Sequence, residues 1–229
     1  MMAVTKSTIN LNPVKAPALP LAPASYNALQ QEQLLNALRL YFRSIDNWTQ
    51  IVAGPLGGAY INNPHISASG NTDQYAGGDN TPTKVLWDTL EAGAGFTLNV
   101  DNTATPDKSG VYKIDYSLLL ANTDNAAHDV EVWLKVDGTL VARSGSIFTL
   151  PARKSAGVPT YLIAYSSVTF EVEAGTAVSL WWATDKAYST TGPVDGVYMK
   201  NNAAKTSPYT APAAPAAIGS ITFVSSLTV

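Results

Sequence analysis

Few side chains in this 229-residue chain could take part in chemistry, and their spacing does not bring them together. There are two histidines, His65 and His128, and no cysteine. General acid–base catalysis needs such a group within reach of the reacting atom, with a second group to orient it. His65 lies in a Gly/Asn/Pro-rich stretch and His128 in a polar turn, neither beside a nucleophile. Both are expected to face solvent. Thiolate metal sites and disulfides are excluded, since both need cysteine. Asp101, Asp107, Asp124 and Asp129 are scattered through turn-like segments, their ordinary place. The run from Asn122 to Asp129 offers oxygen ligands for Ca²⁺, but lacks the glycine and closing glutamate of a recognised calcium loop. Gly54, Gly57 and Gly58 precede neither a phosphate-loop lysine nor a helix. A carboxylate pair assembled only by folding is invisible at this level. The expectation is no enzyme, no metal and no cofactor.

Composition narrows the class further. Charged residues make up 14% of the chain, against about 25% in ordinary soluble proteins. Hydrophobic residues make up 46%, enough for a sizeable core. The surface must then be built from Thr, Ser, Asn, Gly and Ala, as in many extracellular and virion β proteins. Net charge is -3 and no Lys/Arg cluster exists, which argues against a nucleic-acid partner. No run approaches the roughly 18–20 apolar residues that span a bilayer. The apolar stretch from Ala16 to Ala24 is broken by Pro17, Pro20 and Pro23, so no export signal is expected. A protein with this surface and no such signal could leave its host by lysis.

Four segments follow from local pattern. Residues 1–24 carry Pro13, Pro17, Pro20 and Pro23, which block helix and favour extended chain. They read either as a disordered tail or as an arm laid along a partner. Residues 25–49 predict a helix, with Ser25 as N-cap and Leu, Gln, Glu, Ala and Arg in its body. Leu34, Leu38, Tyr41, Ile45 and Trp48 recur at alternating spacings of four and three, as in a coiled-coil seam. Leu35 and Phe42 widen the stripe. Such a helix is marginal alone, and each Leu or Phe it buries contributes about 1.5–3 kcal/mol. The stripe is covered either by the chain's own β domain or by identical helices of other copies. Residues 50–82 read as a linker, with a short strand possible at Ala59 to Ile61.

From residue 83 to 229 the period is two. Tyr112, Ile114, Tyr116, Leu118 and Leu120 alternate with more polar neighbours, as do Val130, Val132, Leu134 and Val136. Val168, Phe170 and Val172, then Val178, Leu180 and Trp182, then Ile221 and Phe223, repeat the pattern. Strict alternation means one buried face. Asp137-Gly138 predicts a hairpin turn. No helical period separates the strands, so the expected fold is all-β, an antiparallel jelly-roll sandwich after an extended arm and one oligomerising helix. Trp133 and Trp181 fall opposite the core set and mark either an interface or a surface covered by the chain's own segments 143–160 and 183–217.

Several of these strands also carry a family resemblance. Gly110-Val-Tyr-Lys-Ile-Asp-Tyr, Val132-Trp-Leu-Lys-Val-Asp-Gly-Thr139, Phe170-Glu-Val-Glu-Ala-Gly-Thr-Ala-Val178 and the terminal Ser220–Val229 strand resemble the jelly rolls of complement globular heads and tumour-necrosis-factor-like proteins. The helix segment Gln31–Phe42, the Trp-Leu-Lys hairpin and Trp182-Ala-Thr-Asp185 are similar to structural proteins of tailed phages. The chain departs from the pattern in a long Ala/Pro-rich insert, Asn201 to Ala217, and in Thr176 where aspartate is frequent. The resemblance implies a virion protein, a homotrimer, and a capsid decoration or head-fibre role. The arm and helix would then hold it to the major capsid protein or another virion protein. The expected interface is Leu34, Leu38, Tyr41, Phe42, Ile45, Trp48, Trp133 and Trp181. The alternative is a receptor-binding tail-fibre tip, with Tyr188, Tyr198 and Tyr209 facing a host surface glycan.

Overall fold

The structure is a computed structural model and describes residues 14–19, 25, 27–53, 63–189 and 195–227. The chain divides into two compact units, Met1–Asn62 and Asn63–Val229.

In the first unit, helix α1 spans Ala28–Ala53. Its N-cap is Asn27, not Ser25: the Asn27 side-chain oxygen accepts the backbone N–H of Leu29 at 3.0 Å and of Gln30 at 3.4 Å. Asparagine is among the best caps because its short amide satisfies donors that the first turn leaves open. The helix runs four residues beyond the expected end, and its 26 residues give a rod about 39 Å long. Residues 14–19 are the described part of the arm. Val14, Lys15 and Pro17 border a depression shared with Leu40, Tyr41 and Ser44 of the helix.

The second unit is built from strands β1 (His65–Gly70), β2 (Gln74–Tyr75), β3 (Thr83–Lys84), β4 (Thr89–Ala94), β5 (Phe96–Leu98), β6 (Ala104–Pro106), β7 (Gly110–Asn122), β8 (His128–Val136), β9 (Thr139–Leu140), β10 (Ser146–Leu150), β11 (Thr160–Val172), β12 (Val178–Thr184), β13 (Val197–Met199) and β14 (Ala217–Ser225). They form two seven-stranded sheets. The first is ordered β2-β13-β7-β14-β1-β4, with β11 on the other edge of β7. The second is ordered β10-β8-β12-β6-β5, with β3 on β12 and β9 on β8. All named strand pairs are antiparallel. From β7 to β13 the chain passes repeatedly between the sheets, as a jelly-roll sandwich requires.

The alternating residues form the core between the sheets. Tyr112, Ile114, Tyr116, Leu118 and Leu120 of β7 meet Val130, Val132 and Leu134 of β8 and Val178, Leu180 and Trp182 of β12. Phe96 and Phe223 each set a ring edge-on to Tyr112, at 5.2 and 5.5 Å between centroids. That geometry suits the aromatic quadrupole. The Asp137-Gly138 hairpin forms as expected, both residues at positive φ (49° and 74°), joining Val136 to its partner Thr139. The sandwich starts twenty residues earlier than the linker reading allows. β1 lies inside the first sheet between β14 and β4, and Gln74 is buried with its amide bonded to Leu86 at both ends. The strand expected at Ala59 to Ile61, residues 1–13 and residues 20–24 lie outside the described residues.

Candidate association interface

The helix stripe exists, and its own unit covers it only in part. Leu34, Leu38, Tyr41 and Ile45 are half-buried, Phe42 and Trp48 are exposed, and no helix side chain through Gln50 is buried. Tyr41 and Phe42 lie 5.9 Å apart between ring centroids.

The outer face of the first sheet carries a wider apolar surface that the sequence reading missed. Residues directly opposite across a sheet share a face. One row runs Tyr75–Tyr198–Ala121–Tyr161 across β2, β13, β7 and β11. The adjacent row pairs Leu119 with Ile163, and the next runs Ile218–Ser117–Tyr165 across β14, β7 and β11. Ile163 and Tyr165 are 64% and 60% exposed, too much for side chains turned toward the core. Beyond them the face turns polar. Lys113 pairs with Asp115 at 3.0 Å, and the Tyr165 hydroxyl donates to the same carboxylate at 3.2 Å. Partial burial opposes the Asp115 charge, but hydrogen bonds from Lys113 and Ser167 outweigh it and hold the carboxyl below the usual range. The signal was present in the sequence as Tyr161, Ile163 and Tyr165 at spacing two. It was masked because the inward partners Leu162 and Ala164 are also apolar, so the alternation of polarity disappears.

The tyrosines expected in ligand-facing loops separate into two groups. Tyr188 and Tyr198 each stack on Tyr75, at 5.3 and 5.6 Å between centroids, and meet each other tilted at 4.7 Å. Tyr198 is only 9% exposed. Its hydroxyl is pushed up to about 12, first by burial and then by the Asp73 carboxylate. Asp73 itself pairs with Lys200 at 3.0 Å. Tyr209 stands apart, in an excursion held by the Asn202–Ala214 and Lys205–Ala211 bridges, with Lys205 over its ring at 3.9 Å.

On the second sheet, Trp133 and Trp181 are direct cross-strand partners on the outer face, both half-buried. Trp181 is covered by its own chain. The Lys135 ammonium sits 3.9 Å from its ring centroid, that of Lys84 5.9 Å, and its indole N–H donates to Ser179. For Trp181 the covering groups come from neighbouring strands, whereas Trp133 is bordered by Arg143 and Ile147 of the segment 143–160.

His128 is not the solvated turn residue that its neighbours suggest. It opens β8, its side chain is 11% exposed, and both ring nitrogens face carboxylates: Nε2 meets Asp124 at 2.8 Å and Nδ1 meets Asp185 at 3.2 Å. Burial works against the charged ring, but the bonds to Asp124 and Asp185 prevail and raise its pKa. The two carboxylates lie on opposite sides of the imidazole and do not converge on one point. No group of three His, Asp or Glu side chains fit to hold a metal occurs among the described residues. In the turn considered for Ca²⁺, the Asn122 amide donates to Ala126 and Pro151 while its oxygen accepts from Asp124 N–H. His65 bonds the Asn63 carbonyl through Nδ1 at 2.8 Å.

No protein-family model matches the sequence, and no curated protein matches it. What stands is the fold: an antiparallel β-sandwich with one helix near the N-terminus, whose outward face on one sheet is apolar and aromatic.

Proposed function

We propose that this chain is a structural protein that works as an assembled homo-oligomer, a trimer, on the surface of a virion, as a capsid decoration or head-fibre subunit. The observation that carries association is the outer face of the first sheet. Its Tyr161, Ile163 and Tyr165 on β11 and Ile218 on β14, the two strands that flank β7, are each between 45% and 64% exposed. Contiguous apolar surface of this kind on a well-packed sandwich suits an interface more than free solvent. The half-covered helix stripe supplies a second surface of the same character. The trimer and the virion setting rest on the resemblance of the strands to complement-head-like jelly rolls and phage structural proteins. In this reading the arm and helix hold each subunit to the shell while the sandwich projects. Many weak contacts on a repeating lattice then sum by avidity. The receptor-tip alternative loses Tyr198, buried against Tyr75 and Tyr188, but keeps Tyr209, which is exposed with Lys205 over its ring.

Light scattering of the full chain at micromolar concentration tests association directly. The expected mass is three times the 24.2 kDa subunit. A stable single subunit would sink the oligomer and with it the shell assignment. Labelling of intact particles with an antibody to the chain tests the virion setting.

A further inference from the structure

The outer face of the second sheet holds an open groove of about 850 Å³, within the rough range of 300–1,000 Å³ typical of ligand sites. Glu131, Trp133 and Lys135 of β8 and Ile147, the cross-strand partner of Glu131, line it from the sheet, and Leu140 and Arg143 line it from the segment between β9 and β10. That segment is fixed in place. Ser144 is buried, its hydroxyl accepts the Leu134 N–H at 3.0 Å and donates to the Val141 carbonyl at 2.8 Å. Beside this anchor Arg143 adopts φ 64°, a left-handed conformation that glycine takes far more easily. A guanidinium thus occupies a position where backbone geometry favours a residue without a side chain. Neither the Arg143 nor the Glu131 side chain has a hydrogen-bond or ionic partner among the described residues. Lys135 rests on the Trp181 ring rather than on a carboxylate. Two cations and one carboxylate therefore border the groove in a chain whose net charge is -3.

We infer that this groove binds an acidic saccharide, with a sugar ring laid on Trp133 and its carboxylate held by Arg143. The electron-rich face of an indole suits the C–H bonds on one side of a pyranose. The planar guanidinium matches a carboxylate with two parallel bonds, and Lys135 adds charge without fixed geometry. Glu131 accepts from sugar hydroxyls. An acidic peptide fits less well, because extended peptides are held by free strand edges. Here the edge of β8 is already taken by β10, β9 and the Ser144 hydroxyl.

The test is titration of the full-length protein with oligogalacturonate, neutral maltoheptaose and polyglutamate, followed by tryptophan fluorescence and calorimetry. Oligogalacturonate should bind at least about tenfold more tightly than the other two. Arg143→Gly should weaken it about tenfold or more while the thermal midpoint holds or rises, since the backbone relaxes. Trp133→Ala should weaken it comparably. The proposal is overturned by absence of saturable oligogalacturonate binding, by equal binding of polyglutamate, or by binding that Arg143→Gly leaves intact. The groove and the association face lie on different sheets. Oligomer mass should therefore stay the same in the Arg143 variant, and loss of one property does not imply loss of the other.

Discussion

Both sheets of the sandwich turn aromatic residues outward, and they treat them in opposite ways. On the second sheet Trp181 is capped by Lys135 and Lys84, and its indole N–H is satisfied by Ser179. On the first sheet Ile163 and Tyr165 have no comparable cover. Long lysine side chains can lay their stems and charge over a ring and so retire it from association. The lysines on this face near these residues are engaged with carboxylates instead: Lys113 is bound to Asp115, and Lys200, opposite Leu119, to Asp73. Alternation therefore says which residues point outward. The neighbours decide whether an outward ring is finished locally or left for another molecule.

The sharpest way to break this contrast is to charge the first face. Ile163→Lys combined with Tyr165→Lys should cost on the order of 2–4 kcal/mol of association, the range of interface hot spots. Light scattering should then report single subunits while the thermal midpoint of the sandwich moves little. If mass is unchanged, the helix alone holds the assembly. On the second face the reverse holds. Trp133→Ala should cost about 2 kcal/mol of stability in chemical denaturation, less than the 3–5 kcal/mol of a fully buried tryptophan, with no change in mass.

A third experiment addresses the end of the sandwich where the two sheets are joined. His128 ties the turn after β7 to the end of β12 through Asp124 and Asp185. Its folded pKa is raised above the unfolded value. The stabilisation is therefore complete below the ordinary histidine pKa and is lost as pH rises through the folded one. The thermal midpoint should fall over that interval, and His128→Gln should flatten the profile there. The smallest effect is expected outside the sandwich. Asn27→Ala should cost about 1 kcal/mol of helix stability, read as lost helical circular dichroism. If it also lowers the oligomer mass more than the Ile163/Tyr165 pair does, the helix outranks the sheet as the association surface.

The sandwich was legible where strands alternate cleanly, as in β7, β8 and β12, and where Asp137-Gly138 demands left-handed backbone. It was not legible at β1. Ile66, Ser67, Ala68, Ser69 and Gly70 hold small side chains without a run of branched or aromatic residues, so the strand looks like linker. Its smallness is what its neighbours need: at Gly70 an added methyl would collide with the Gln74 amide and the Leu86 carbonyl. The first half of β11 was hidden for the opposite reason, because both its faces are apolar. The helix was legible by its stripe, but its start was expected at Ser25, two residues before Asn27, which caps it. The environment of His128 depends on Asp185, which lies 57 residues away. No local pattern reveals such a contact.

Ser144 carries a further implication for how copies can meet. Between the stretches of β8 served by β10 and β9, its hydroxyl occupies the Leu134 N–H that would otherwise be an open rung of the ladder. An unfilled rung invites a strand from outside, the first step toward indefinite stacking. With that rung closed, β8 offers no backbone donor between its two partners, and a strand arriving from this side would have to pair with the outer edge of β10 or β9 instead.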